Sequence, residues 1–568
     1  MRCVLLDDQA TGRQFFFRHP EHIITAKSRE DLPRTFAEIE TAHASGKWLS
    51  GYLSYELGHA LETRFEPPNA PLIQLGVFDT PSDNPPASWL YTRDIPDLEF
   101  EPSWSEADYL ERFEAVQKYL SAGDCYQVNL TFPMRAESNA TPQQIYAGFR
   151  QRQPGRYGSL VSLGGADIIS FSPELFFEKK DQHIRMRPMK GTRPRASNPK
   201  ADAALLAEMQ AEPKSRAENL MIVDLLRNDL SRLCEAGSVE VPELFTLETY
   251  PTLHQMTSQV TGTLKQGLSW AEIMKSLFPC GSVTGAPKIR AMEIIRDLET
   301  HPRGAYCGSV GYIAPNGDAS FSVAIRTVQM EDGKLRYDVG SGIVLDSDGP
   351  DEYRECLLKS QIFKPRPEGV IETFRLGADG EIPRAKLHQS RFAKMVGKNT
   401  AGDVFTSIKQ SQSEDRRVRM MASDGQISTN ITPLNTLETP VKLSLSRYPL
   451  TPQMQETRFK TTARDFYDGE RARISALTQA NEIIFLNEAQ ELCEGSFTSL
   501  FVKKDGRLLT PDFSCGLLPG VLRRELIESK QAVEAKLTLA DVQTADAIFV
   551  GNSLRGLIPA KFIDFLPH

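Results

Sequence analysis

Positive charge is in short supply in this sequence: 66 lysines and arginines stand against 74 aspartates and glutamates in 568 residues, a formal net charge of −8. Nucleic acid and anionic membrane surfaces are gripped chiefly through excess basic charge, so neither is expected as a partner. Small anionic substrates stay open, because they respond to local arginines. Long apolar runs are also missing: nothing approaches the ~18 residues of a membrane span. The opening MRCVLLDDQATGRQFFFRH has no apolar core of signal-peptide length. The eight cysteines are scattered and contain no C-x-x-C pair, which excludes the spacing of a zinc site or a disulfide framework and makes a reducing cytoplasm the expected compartment. Low-complexity tracts and internal repeats are absent too.

What is present is ordinary globular material, 40% hydrophobic and 25% charged, too long for one core. The clearest seam is IFKPRPEG (362–369), where prolines and charges separate the helix-like EYRECLLKSQIF from the strand-like VIETFRL. This predicts a large unit over 1–363, a linker at 364–368 and a smaller unit over 369–568. DTPSDNPPAS (79–88) reads as a surface loop. In the large unit, YGSLVSLGGADIISFSPELFFEKK reads as hairpin-connected strands. RAENLMIVDLLRNDLSRLCEAG reads as an amphipathic helix stopping at Gly237. YCGSVGYIAPNGDASFSVAIRTVQM reads as a hairpin with an Asn-Gly turn at 316–317. Strands and helices mix without strict βαβ alternation, which predicts a layered α+β sandwich rather than a Rossmann fold.

Several residues invite chemistry. Glu218 is expected to open a helix, and Glu352 and Glu355 share one face of another at i, i+3. Carboxylates from two helices suit Mg²⁺, a hard cation, but acids near helix N-termini also answer the macrodipole, and spacing alone favours the latter. Gly340, Ser341 and Gly342 read as a short turn inside an apolar strand, either a carboxylate-binding backbone or a β-bulge. CGSVTGAPK lacks the spacing of a phosphate loop, so no nucleotide site is expected. In RPMKGTRPR (187–195), Lys190 is either an anion clamp or a nucleophile.

Together GDCYQVNLT, SFSPELFF, PMKGTRPR, RAENLMIVDLLRNDL, GSVTGAPKIRAMEII, RGAYCGSVGYI, AIRTV and GSGIVLDSDGPDEYRE resemble the chorismate-utilising enzymes, in that family's order, over roughly 105–360; WLSGYLSYELGHALE (48–62) resembles its N-terminal part. The resemblance implies Glu218 and Glu355 as Mg²⁺ ligands with Glu352 behind them, and Ser215 where relatives often carry a further acid. It implies Arg326 and Tyr306 for the enolpyruvyl carboxylate, Gly340 and Gly342 as backbone donors to a carboxylate, and His254 to assist departure of the ring hydroxyl. Gln127 stands where the water-adding members carry a lysine base, a role an amide cannot fill. Lys190 occupies the position that is alanine in anthranilate synthases and lysine in aminodeoxychorismate synthase component I. The implied route has Lys190 add at ring carbon 2 as hydroxide leaves carbon 4, after which ammonia adds at carbon 4 and expels the lysine. It needs Lys190 neutral, with Glu174 moving protons beside it. No cysteine sits on the G-x-C-x-G elbow of a glutamine amidotransferase, so ammonia is expected free or from a separate amidotransferase subunit.

Beyond the seam, LHQSRF, RFKTTARDFYD, NEIIFLNEAQELCEGSFTSLFV, LLTPDFSCGLLPGVLRREL and FVGNSLRGLIPA resemble the fold-type IV pyridoxal-phosphate enzymes, aminodeoxychorismate lyase most of all. A smaller α/β domain is implied. Lys460 would carry the cofactor and act as base, and Glu494 would keep its pyridine nitrogen protonated. Arg391, the helix start at Gly520, Val521 and Leu522, and Asn552 with Ser553 would seat its phosphate. Leu522 replaces the usual hydroxyl residue, leaving only its backbone for that contact. The expectation is 4-aminobenzoate synthesis from chorismate with Mg²⁺ and pyridoxal phosphate. Its rivals are an anthranilate synthase with an appended aminotransferase, and a C-terminal module without catalysis.

Overall fold

The computed structural model describes all residues except 10, 69, 93–94, 151–155, 195–198, 250–252, 364–368, 409–413, 424–425, 451–459, 463 and 568, and leaves undescribed the side chains of 192, 194, 199–201, 214, 253, 361, 394–395, 398–400, 402–403 and 566–567. The chain divides into two compact units, Met1–Gln9 with Arg13–Lys364, and Ala10–Gly12 with Pro365–His568. The expected linker, 364–368, lies outside the described residues.

The first unit is a layered α+β sandwich. Among the described residues, one sheet runs Gly285–Ala286, Gln127–Glu137, Lys334–Ile343, Thr327–Glu331, Asp167–Ser172, Tyr157–Ser162, Cys3–Asp8 and Arg13–Arg18, neighbours pairing in that order. The second runs Met189–Pro194, Leu253–Thr263, His183–Arg187, Leu175–Lys180, Ala319–Val323, Ser309–Ile313, Trp48–Leu53, Ile73–Phe78 and His22–Ala26. Its main core joins the second sheet to helices Leu32–Ala44, Pro213–Leu233 and Trp270–Leu277 through Phe177, Phe321, Phe36, Ile222, Leu226 and Trp270.

The chain crosses between the sheets at two places that matter later. Asp167–Ser172 belongs to the first sheet and Leu175–Lys180 to the second, so the stretch expected to continue as hairpins changes layer at Pro173–Glu174. Ala319–Val323 and Thr327–Glu331 likewise lie in different sheets, and Arg326 sits in the crossing with φ +53°. A non-glycine residue in that left-handed region stores about 1–3 kcal/mol of strain, as functional sites often do.

Helix ends follow local signals. Pro213 sets the first turn of Pro213–Leu233, so Glu218 lies in the second turn instead of opening the helix. That helix stops at Cys234, short of Gly237, which serves the following turn at φ +79°. Asp348 caps Gly349–Leu358 by accepting from Asp351 N–H at 3.0 Å, with Pro350 in the first turn, and so fixes Glu352 and Glu355 on it. The Asn-Gly hairpin forms, with Gly317 at φ +84°.

The second unit has a three-stranded sheet, Val370–Leu376, Arg416–Ser423 and Gln426–Pro433, packed on helices Ala385–Val396 and Lys398–Ile408. A mixed sheet of eight strands among the described residues runs from Leu492–Gly495 to Val533–Ala535 and supplies its other core. The eight cysteines are free and buried. Among the described residues no helix is long and apolar enough to cross a membrane.

Candidate active sites

In the first unit, Lys190 comes from Met189–Pro194 and faces helix Pro213–Leu233: its Nζ lies 4.0 Å from Glu218 Oε2, with both side chains mostly covered. Gly342 leaves room for them. A Cβ built there would stand 3.1 Å from Lys190 Nζ and 3.2 Å from the Gln127 amide. Gln127 is fully buried, and among the described residues neither its Nε2 nor its Oε1 has a hydrogen-bond partner. A buried amide without partners is costly, and here it opens on the Lys190 amine.

Gly340 and Gly342 are not on a turn; they lie in the unbroken strand Lys334–Ile343, opposite Thr131 and Asn129. Those partners spend their N–H groups elsewhere, Asn129 on Thr284 O at 2.9 Å and Thr131 on Glu299 Oε1 at 2.8 Å. These are therefore the non-hydrogen-bonded pairs of the ladder, and the peptide groups of Gly340 and Gly342 turn to the opposite edge. Lys359 Nζ reads that edge, donating to Gly340 O at 2.6 Å while pairing with Glu355 at 2.9 Å. Glu218 and Glu355 thus bracket the Gly340–Gly342 segment. Among the described residues no group of three His, Cys, Asp or Glu side chains is placed to hold a metal. Glu218 and Glu355, from two helices, remain the candidate pair for Mg²⁺, which is commonly held by one or two carboxylates and completes its shell with water and substrate oxygens.

Glu174, at the first crossing, is buried and accepts from Ser282 Oγ at 2.6 Å. Burial pushes its carboxyl up to about 7, against the Ser282 hydrogen bond and the Lys190 and Arg326 charges that pull it down. A carboxyl poised near neutrality beside an amine can pass protons in either direction. Arg326, at the second crossing, has its pKa lowered by burial against the pull of Tyr337 and Glu174. Tyr306 is buried on the neighbouring segment, where Cys307 N–H donates to Ala324 O at 2.9 Å. His254 is fully buried and tied at both ring nitrogens, Nδ1 with Thr249 Oγ1 at 3.0 Å and Nε2 with Asp202 Oδ1 at 2.9 Å.

In the second unit, Lys460 is held by its carbonyl, which accepts from Ile371 N–H at 2.7 Å. Burial first, then the Arg391 charge, lowers its amine to about 7, with Glu372 opposing. Arg391 forks onto Glu372, with Nε at 2.8 Å and Nη2 at 2.6 Å, and reaches Pro519 O with Nη1 at 3.4 Å. His388 Nδ1 shares Glu372 at 2.7 Å. Burial raises Glu372, yet Arg391 and His388 outweigh it and hold the carboxyl at about 2.

Pro519 leads into helix Val521–Glu528, with Gly520 as its cap. A Cβ on Gly520 would meet Ser499 Oγ at 2.8 Å, and one on Gly551 would meet Leu522 Cδ2 at 2.7 Å. The helix start, Ser499 and the Gly551–Ser553 turn therefore close on one another beside Arg391. Asn552 stays at the turn, accepting from Leu554 and Arg555 N–H at 3.2 Å, and Ser553 Oγ donates to Thr373 O at 3.5 Å. Leu522 is buried with Phe501, Leu526 and Ala532, leaving its N–H as the polar contribution. Glu494 accepts from Tyr467 Oη at 2.9 Å and Leu518 N–H at 3.1 Å, and burial raises it to about 7. Arg391 joins the helix start to the surroundings of Lys460; its guanidinium and the helix N–H groups are donors that suit a phosphate, and the Glu494 carboxylate is the acceptor that suits a protonated pyridine nitrogen.

A sequence model described as chorismate binding enzyme matches residues 1–365. The chain belongs to that family. A second, amino-transferase class IV, matches residues 369–563. The aminodeoxychorismate synthase component 1 of Klebsiella aerogenes is 43% identical over 255 residues, covering 45% of this chain and 56% of that protein. The anthranilate synthase component 1 of Streptomyces coelicolor is 40% identical over 258 residues, covering 45% of this chain and 50% of that one. The chain thus spans little more than half the length of these curated relatives. The crystal structure of anthranilate synthase component I from Streptococcus pneumoniae has a TM-score of 0.51 at 27% identity, covering 56% of this chain and 81% of that one.

Sequence reading missed Ser282, Asp202, Glu372, His388 and Tyr467. Ser282 lies inside a motif whose glycines and proline carry the visible signal. Glu372, a lone acid among the apolar residues of VIETFRL, carried the most usable signal.

Proposed function

We propose that the chain makes 4-aminobenzoate from chorismate, the first unit aminating ring carbon 4 and the second removing pyruvate. The observation that carries the reading is the Lys190 amine, 4.0 Å from Glu218 and set against Gly342 and the unpartnered Gln127 amide. In this reading the Lys190 amine adds at ring carbon 2 while the carbon 4 hydroxide leaves, and ammonia then adds at carbon 4 and expels the amine. Glu174 takes the proton that the attacking amine sheds and returns one to the leaving group; a carboxyl near 7 suits both. Mg²⁺ held by Glu218 and Glu355, with Glu352 behind, would draw electron density through the ring carboxylate. Arg326 and Tyr306 hold the enolpyruvyl carboxylate, Gly340 and Gly342 donate N–H groups to a carboxylate, and Gln127 makes its missing hydrogen bonds to substrate. His254 is the candidate to assist hydroxide departure, a role that requires it first to release Thr249 or Asp202, since both ring nitrogens are engaged. Ammonia comes from a separate glutamine amidotransferase subunit, and the compartment is the cytoplasm.

In the second unit, pyridoxal phosphate would supply an electron sink. Arg391, the N–H groups at Gly520, Val521 and Leu522, and Asn552 with Ser553 hold its phosphate. Glu494, steadied by Tyr467, keeps a proton at its ring nitrogen. Lys460, half deprotonated near pH 7, removes the ring proton next to the substrate's amine, and pyruvate leaves as the ring becomes aromatic.

The similarity to an anthranilate synthase supports the rival in which nitrogen enters at carbon 2. Incubating the purified chain with chorismate, Mg²⁺ and ammonium, and identifying the aminobenzoate isomer and pyruvate, separates them. 4-Aminobenzoate is the expected product; anthranilate alone rejects the proposal.

A further inference from the structure

Glu482, the first residue of strand Glu482–Leu486, is fully buried, and no step of either proposed reaction uses it. Five groups donate to its carboxylate. Oε1 accepts from Ser496 Oγ at 2.6 Å, Ser496 N–H at 2.9 Å and Ile483 N–H at 2.8 Å. Oε2 accepts from Thr498 Oγ1 at 2.7 Å and Phe497 N–H at 3.2 Å. Burial raises the pKa of this acid, and the hydrogen bonds oppose it. A carboxylate is kept in a dry interior only when such donors surround it.

The segment gathered round Glu482 is the turn of a hairpin made by strands Leu492–Gly495 and Ser499–Lys504, in which Glu494 and Ser499 are direct partners. Those two residues belong to opposite ends of the Lys460 site. Glu494 is the acid proposed for the ring nitrogen, and Ser499 lies against Gly520 at the helix start proposed for the phosphate. Phe497 O, in the same turn, accepts from Asn552 Nδ2 at 3.4 Å. Gly495 has no room for a side chain, because a Cβ there would stand 2.8 Å from Glu482 Oε2. The charged and titratable groups facing this pair of acids are Arg464, which donates to Ser496 O, and Tyr467, which donates to Glu494. The Arg464 charge pulls the Glu494 titration down and the Glu482 charge pushes it up.

We infer that Glu482 is a positioning residue for the cofactor: its carboxylate shapes the Gly495–Thr498 turn, so that Glu494 meets the ring nitrogen in register with the phosphate seat at Gly520 and Asn552, and its negative charge supports the proton that Glu494 holds there. The inference rests on the pyridoxal-phosphate reading of this unit and adds to it a residue that never touches the cofactor. Glutamine has nearly the same shape, but it carries no charge and would turn an NH₂ donor towards donors. A role in packing alone would tolerate that exchange without changing how the bound cofactor titrates.

The test compares the full chain with Glu482→Gln and Thr498→Val, the second removing one donor and keeping the carboxylate. Absorbance titration gives the affinity for pyridoxal phosphate, the pH dependence of the bound cofactor's absorbance gives its titration midpoint, and circular dichroism of the cofactor-free chain reports the fold. Glu482→Gln should fold, bind the cofactor at least about tenfold more weakly, and titrate at lower pH, because a negative charge favouring the protonated ring has gone. Thr498→Val should move both quantities in the same direction by less. A folded Glu482→Gln with wild-type affinity and midpoint overturns the inference and leaves the cofactor reading standing. Weaker binding with an unmoved midpoint assigns Glu482 to the fold alone and also overturns it. If Glu482→Gln does not fold, Thr498→Val decides, and wild-type values there overturn the inference. A wild type that binds no pyridoxal phosphate removes the cofactor reading, and the inference falls with it.

Discussion

Ser282 Oγ donates to Glu174 Oε1 across 2.6 Å, tying the SVTGAPK loop to the point where the chain passes from one sheet to the other. The bond favours the charged carboxylate and so opposes burial, which alone would raise Glu174 further. Ser282→Ala leaves that oxygen without its donor, a loss of about 1–3 kcal/mol and hence a rise of roughly one to two pH units in the Glu174 titration. The pH–rate limb that reports deprotonation of this acid should move upward from about 7, with the chorismate KM little changed. A limb that stays in place in an active Ser282→Ala enzyme assigns the pH dependence to another group.

Lys190→Ala removes the amine and keeps the pocket. Chorismate binding should persist, because Arg326, Tyr306 and the Gly340–Gly342 edge remain. Amination at carbon 4 should fall at least about hundredfold, with the ring either stalled or aminated at carbon 2. Product identity and rate under saturating ammonium give the readout. Wild-type formation of aminodeoxychorismate by this variant rules out the covalent route.

Glu218→Gln and Glu355→Gln each take one charged oxygen from the pair that brackets Gly340–Gly342. The Mg²⁺ concentration giving half-maximal rate should rise at least about tenfold in each variant. Glu218→Gln should have a second effect, since it also strips Lys190 of the acid 4.0 Å away. An unchanged Mg²⁺ titration in both variants would place the metal on other ligands.

These contacts explain what could be read in the sequence. Layered α+β architecture and helix positions follow from periodicity, turns and caps, which are local. Lys190, Glu218 and Glu355 stood out as residue types in motifs, but their convergence depends on register between strands and on helix placement, which no short window contains. Gly340 and Gly342 read as a turn because two glycines mimic one, whereas pairing with Thr131 and Asn129 keeps the strand extended. Pro213, a good first residue for a helix, starts this one earlier than the apolar spacing suggests and moves Glu218 into its second turn. The crossings that bring Glu174 and Arg326 together involve pairing partners more than a hundred residues apart in the chain and leave no local mark.

The Lys460 amine, pushed down to about 7 chiefly by burial and then by Arg391, yields the last prediction. Only the neutral amine condenses with an aldehyde, so the rate at which the cofactor-free chain captures pyridoxal phosphate should climb between about pH 6 and about pH 8 and level off above. The sign follows from the shift: a lysine at its ordinary value would keep gaining rate towards pH 10.5, whereas one lowered to about 7 has lost its proton well before. The same shift makes the cofactor-free fold gain stability as pH rises from about 7 towards 10.5, because over that window the unfolded lysine holds a proton that the folded one has released. Lys460→Ala should capture no cofactor covalently, consume chorismate at the wild-type rate and accumulate aminodeoxychorismate. Stopped-flow absorbance gives the capture profile, and chromatography with a pyruvate assay gives the products. Rapid 4-aminobenzoate formation by the purified Lys460→Ala chain would refute the assignment of this lysine.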